Sequence, residues 1–531
     1  MSLIRNLLLT ATLFATATTA AAERPRLVIN IIAGSMQAEA LERYTSNLDR
    51  GGFARLTSRG ITFTEACYGC MQTTTPTSLA TLATGATPAT HGIVGSRWYD
   101  YTLEKFVDLT ADKNVKTLGS NNINNIKEGH SPQNMVAPTL ADALLRSDRL
   151  SRAVTIALTP ASAITTAGRS GCCLWTEGEK CQWVTSTAYA EKLPVWVDEY
   201  NTQEMNARFI NRDWVCRYSR DKYINKRSLG AALYPSEKRS KSEKDKITPK
   251  ERITATPAGN SLVFDLAKQA LTALNLGADD HPDIINICLD AADEIAARYG
   301  CESVEYEDML YHLDNDIKEL LDYAAVHTNY SEEIVVVFTS AHGCAPAYDA
   351  ATPQQDRFNS RQFELIINAF LNARYGQGQW VLGYADRALY LNRNLIRDKR
   401  LSLEMIQSEA AAFALQFRGI SHAITATTLQ SSYFVDGYAS KIQRGFYPRR
   451  SGDIIINLFP ERTTISDTHR TESGSMYKYD THVPLIIYGM GITAGKYDKP
   501  VDMTCVAPTL ARLLHISAPS AAEGDTLDFE Y

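Results

Sequence analysis

The chain has 531 residues and a formal net charge of -6, so no electrostatic case exists for a nucleic-acid partner. Its length allows two or three domains, or one large α/β unit with insertions. Ten cysteines are too few for a disulfide scaffold, although an oxidising compartment would let some pair.

In chain order, MSLIRNLLLTATLFATATTAAAERP joins a basic Arg5, an apolar stretch from Leu7 and a small-residue run ending at Ala22. This reads as a secretory signal over residues 1–22, with an exported, periplasmic or extracellular mature protein from residue 23. No later apolar run approaches the roughly 18 residues of a membrane span, so no transmembrane segment is expected. Leu27 to Ala33 reads as a buried central strand, Met36 to Gly60 as helical with Gly51-Gly52 as punctuation, and Ile61 to Thr64 as a short strand.

Thr73, Thr74, Thr75 and Thr77 then crowd hydroxyls before an alanine-rich helical run ending at Gly85. Unpaired N–H groups and the dipole at a helix start favour an anion, so a phosphoryl group suits this turn. Ordinary N-capping is the structural alternative. Ala137 to Arg146 reads as an amphipathic helix and Ala153 to Leu158 as a second buried strand.

The stretch 172–255 is aromatic, charged and irregular, and reads as an elaboration on the core. Within it, Gly178 turns a hairpin that would let Cys173 pair with Cys181, with Cys172 competing. Cys67 and Cys70 form a lone CxxC, which is no zinc motif. Lys238 to Arg252 interleaves both charges, as a solvated loop does.

Alternation resumes with a helix from Ala258 to Leu274, a strand from Ile284 to Leu289, a helix from Val304 to Tyr323 and a strand from Ile334 to Phe338. Open α/β sheets gather functional groups beyond the carboxyl ends of their strands, so LDAADEIAAR and TSAHG should meet the hydroxyl turn. Residues 363–460 read as an inserted cap, with FELIINAFLNA and Leu403 to Phe417 helical and Ile454 to Leu458 a strand. Val483 to Tyr488 is a final strand and Ala507 to His515 a final helix.

TTTPTSLATLATGATPATHGIVG, LDAADEIAARYG, VVVFTSAHG, KYDTHVPLIIYG and VDMTCVAPTLARLL, in this order, resemble the alkaline phosphatase superfamily. The nearest resemblance is to the exported phosphate-irrepressible alkaline phosphatases with a threonine nucleophile, near the nucleotide pyrophosphatase/phosphodiesterases. It implies a doubly wound, mostly parallel α/β fold with an inserted cap, and two Zn²⁺ ions flanking a hydroxyl nucleophile. The nucleophile position falls on Thr75. Of the Asp and His ligand positions, Asp293, His342 and His482 keep a ligating side chain, while Gly34, Ala297 and Ala341 do not.

The implied division is Asp293 and His482 at one metal, Thr75 and His342 at the other, and zinc normally takes at least three protein ligands. Cys288 and Cys344 are possible replacement ligands. The substrate-binding positions are altered too: Ser96 stands where an asparagine is implied, and Thr159 and Ala161 where a lysine and an arginine are implied. The sequence therefore reads as a catalytically degenerate member with weak or absent zinc, binding a phosphorylated or anionic small ligand. The alternatives are an active phosphatase or phosphodiesterase with a rebuilt metal site, and an envelope surface-partner or carbohydrate-binding module; no protein partner can be named.

Overall fold

Strand β1 (Leu27–Ser35) is buried along its whole length, and alternate side chains feed two different cores. Leu27, Ile29, Ile31 and Ala33 pack on one face and Val28 and Ile32 on the other. A strand covered on both faces needs a near-continuous apolar run, which LVINIIA supplies. Its parallel neighbours are β3 (Asp283–Leu289) and β4 (Ile334–His342), and β3 pairs in parallel with β2 (Ala153–Ile156).

A computed structural model gives this architecture and describes residues 24–120, 129–210, 212–226, 249–328, 331–348 and 357–529. The signal segment and most of the Lys238 to Arg252 stretch lie outside the described residues. The central sheet has ten strands, in the order 495–497, 61–63, 485–489, β4, β1, β3, β2, 172–177, 182–186, 117–118. Its middle is parallel. Leu485–Gly489 closes against β4 antiparallel, and Gln182–Ser186 closes the other side against Cys172–Glu177.

One polar rung crosses the middle of the sheet. Asn30 Nδ2 donates to Asn286 Oδ1 at 2.8 Å, and Asn286 Nδ2 donates to Thr155 Oγ1 at 3.0 Å. The three residues stand at one register level, so the two buried amides are linked in an otherwise apolar layer, with Asn30 Oδ1 left without a partner.

The sequence reading is corrected at two places here. Residues 172–186 are strands of the central sheet, with Trp175 and Trp183 fully buried. The Gly178 hairpin forms, but Cys173, Cys181 and Cys172 are free thiols. Trp175 faces Val184 and Glu177 faces Gln182, so Cys181 sits in the turn while Cys173 lies at the far end of its strand. The disulfide joins Cys301 to Cys344 instead, which also removes Cys344 as a metal ligand.

A second sheet of four antiparallel strands, in the order Val381–Ala385, Ala388–Leu391, Ile454–Leu458, Ile420–Thr425, carries the helices Ser360–Tyr375 and Leu403–Ala414. It has its own core around Phe363, Trp380 and Ile456. Among the described residues no helix is long and apolar enough to cross a membrane.

Candidate functional site

Helix α1 (Thr75–Thr84) begins just past the carboxyl ends of β1 and β4, with Thr74 at its N-cap and Gly85 ending it at φ 70°. No side chain caps it: Thr74 Oγ1 pairs with Thr77 Oγ1 at 2.9 Å instead. Thr75 is therefore the first helical residue and not a cap, and its hydroxyl is free to face the strand ends.

Helix α3 (Asp290–Tyr299) follows β3 without a loop and puts Asp293 in its first turn. Thr75 Oγ1 donates to Asp293 Oδ2 at 2.5 Å and lies 2.9 Å from His342 Nε2. His342 Nε2 is 3.4 Å from Asp293 Oδ1, and its Nδ1 donates to the Gly343 carbonyl at 2.6 Å. Burial disfavours charge on both groups, yet each offsets it for the other: Asp293 holds the His342 pKa above the usual histidine range, and His342 holds Asp293 below the usual carboxylate range. The Thr75 hydroxyl stands between the imidazole and the carboxylate.

The other candidate positions lie as follows. Gly34 backs directly onto Asp293: a Cβ built there would stand 2.7 Å from Asp293 Cβ and 3.1 Å from the Leu289 carbonyl oxygen. The place of a first-strand carboxylate is thus filled by α3. Ala341 is buried in the strand before His342. The Ala297 carbonyl accepts the backbone N–H of Arg470 at 2.7 Å.

His482 belongs elsewhere. It follows the turn Lys478–Thr481 and is buried, where Nδ1 pairs with Glu39 Oε1 at 3.0 Å and Nε2 donates to the Thr64 carbonyl at 2.8 Å. Glu39 raises its pKa, and no bond joins it to Thr75, Asp293 or His342. Cys288 is a buried thiol beside Thr166, pushed up to about 12 by burial, and is likewise no part of the site.

On the substrate side, Thr159 caps the helix Pro160–Ala167 that follows β2, accepting from Ser162 N at 3.3 Å. Asp290 fixes that turn by accepting from Leu158 N at 2.7 Å and Thr159 N at 2.9 Å. No cation stands at Thr159 or Ala161. Ser96 N donates to Asp386 Oδ2 at 3.1 Å, which ties its loop to the second sheet.

Several neighbours escaped the sequence reading. Asp480 is fully buried, accepts from Ser475 N at 2.8 Å and is pushed up to about 6 by burial. His469 Nε2 sits 3.4 Å from Glu294 Oε2. Arg97 and Arg387, with Gln72, Thr74, Ser96 and Glu472, line a cavity of about 310 Å³ between the hydroxyl turn and the second sheet. Only a basic residue after Ser96 and an Asp-Arg hairpin tip signalled it in the sequence.

The strand ends, the hydroxyl at a helix start and the carboxylate and imidazole around it define a scaffold of the alkaline phosphatase superfamily. The chain belongs to the type I phosphodiesterase / nucleotide pyrophosphatase family, whose sequence profile matches residues 28–482. Among its relatives, alkaline phosphatase PafA of Elizabethkingia meningoseptica is 28% identical over 522 residues, covering 95% of this chain and 94% of that protein. Alkaline phosphatase PhoV of Synechococcus elongatus is 25% identical, covering 95% and 92%. A crystal structure of wild-type alkaline phosphatase PafA matches with a TM-score of 0.86 at 26% identity, covering 95% of this chain and 98% of that one.

The donor set does not fit the pair of zinc ions that the resemblance implies. Thr75, Asp293 and His342 are the candidate donors that meet, and among the described residues no group of three or more His, Cys, Asp or Glu side chains is arranged to hold a metal. Gly34, Ala297 and Ala341 offer no side-chain ligand, and His482 is engaged by Glu39.

Proposed function

We propose that this chain is an exported member of the phosphoester hydrolase family that binds an anionic small ligand and does not hydrolyse it through metals. The observation that carries the reading is the packing of Asp293 against Gly34, because a carboxylate on the first strand would require α3 to shift. What is left is poorly matched to catalysis. A general base works best with a pKa near the working pH, whereas His342 draws Asp293, despite its burial, below the usual carboxylate range. An alcohol without a metal or a base of suitable pKa is a weak nucleophile.

Turnover of phenyl phosphate and of bis-(4-nitrophenyl) phosphate, assayed with and without added Zn²⁺, tests this. The expected result is no turnover above that of Thr75→Ala. A second reading, an enzyme with a rebuilt site, draws on the 2.5 Å bond from Thr75 to Asp293, and Thr75-dependent turnover would establish it in place of the first.

A further inference from the structure

We infer that the cavity between the hydroxyl turn and the second sheet binds the oxyanion of a small ligand, a carboxylate or a phosphoryl ester, through Arg97 and Arg387. This rests on the reading that the chain acts by binding, and supplies the cations that Thr159 and Ala161 lack.

The wall is built from donors. Arg387 is 7% exposed, lines the cavity and bonds Glu472 Oε1 through Nη2 at 2.8 Å. Arg97 is exposed, lies 4.9 Å from the Phe106 ring centroid and makes no ion pair among the described residues. The Phe106 ring gives that guanidinium an aromatic face to rest against, and its charge also acts on Asp386. The hydroxyls of Thr74 and Ser96 also line the cavity.

The two carboxylates of the wall are committed to the protein. Glu472 Oε1 accepts from Arg387 and from Thr464 N at 3.0 Å, and Asp386 Oδ2 accepts from Ser96 N. They offset two guanidiniums in charge, and one oxygen of each is already taken by the protein. A site of no net charge with spare donors suits a monoanion better than a dianion. The wall is also built under constraint: Gln72 holds a left-handed backbone at φ 70°, is 3% exposed, and has its Oε1 buried without a partner. Such a conformation in a non-glycine residue costs about 1 kcal/mol or more and persists where the surroundings dictate it.

Calorimetric titration of the full chain in chelator-treated buffer with phenylacetate, methyl phenyl phosphate and phenyl phosphate tests the site and separates carboxylate from phosphoryl recognition. At least one of the two monoanions should bind more tightly than phenyl phosphate. Arg97→Ala should weaken binding about tenfold and Arg97→Lys less. Arg59→Ala, which removes an exposed guanidinium lining a different cavity, should stay within about twofold. The inference is overturned if Arg97→Ala behaves like Arg59→Ala, if the dianion is preferred, or if none of the three binds. Release of phenol from phenyl phosphate would instead refute the non-hydrolytic reading, and the Arg97 comparison would still decide this site.

Discussion

The two sides of the hydroxyl turn have different contents. On the central-sheet side, bonds within the chain cross-brace the strand ends. Met36 N donates to Ser340 Oγ at 2.9 Å and Ser35 Oγ to the Gly343 carbonyl at 3.0 Å. Tyr68 Oη donates to the Ser340 carbonyl at 2.9 Å, and the Cys301–Cys344 disulfide ties the end of α3 to the end of β4. On the second-sheet side, two guanidiniums and a cavity remain. The difference teaches that the chain's own bonds join its strand ends, which is what would let ligands be lost there while the framework stands.

Breaking the largest brace should have the largest effect. Cys301→Ser with Cys344→Ser opens a loop of 43 residues, and chain entropy puts the loss at about 4 kcal/mol. Chemical denaturation should show that loss; a change under about 1 kcal/mol would mean the hydrogen bonds alone suffice.

Gly34→Asp comes next. Its Cβ would meet Asp293 Cβ at 2.7 Å and the α3 backbone at 3.1 Å, so overpacking should cost about 1–3 kcal/mol. An unchanged midpoint would show that α3 yields easily and that the lost ligand position is still open. Combining it with Ala297→His and Ala341→Asp should raise zinc affinity before any turnover appears, since Thr159 and Ala161 still supply no cation.

A carboxylate outside both regions gives a smaller, pH-dependent effect. Asp316, which accepts from Ser261 Oγ at 2.7 Å, is pushed up to about 7 by burial. Its folded pKa exceeds its unfolded value, so the folded state binds more protons between roughly pH 4 and 7. Its contribution to stability is therefore full below about pH 4 and lost as pH rises through 7. Asp316→Asn should raise the melting temperature by roughly 2–5 °C at pH 8 and leave it nearly unchanged at pH 4. An equal shift at both values would assign the effect to packing.

The framework was legible where one physical rule dominated. β1, β3 and β4 are apolar runs buried on both faces, and LVINIIA and IVVVF can hardly be anything else. Residues 172–186 were not, because Trp, Cys and Glu side by side give no clean alternation, although Trp175 and Trp183 pack inward. In the site, the missing side chains at Gly34 and Ala297 could be read directly. That α3 fills the space at Gly34 could not, because sequence does not show how closely two backbones approach. His482 shows the same limit, since a histidine's position in a motif does not give the direction of its ring. The disulfide partners lie 43 residues apart, and connectivity is not fixed by spacing. Arg97 belongs to no pattern and acquires meaning only beside Arg387.

Zinc content tests the central claim most directly. After purification in zinc-supplemented buffer and dialysis, elemental analysis of the chain should find well under one zinc ion per molecule, because among the described residues Asp293 and His342 meet beside a neutral Thr75 hydroxyl and no third His, Cys, Asp or Glu joins them, short of the ligand set zinc normally takes. About two zinc ions per chain, lost together in Thr75→Ala and Asp293→Ala, would contradict the account and restore the two-metal site.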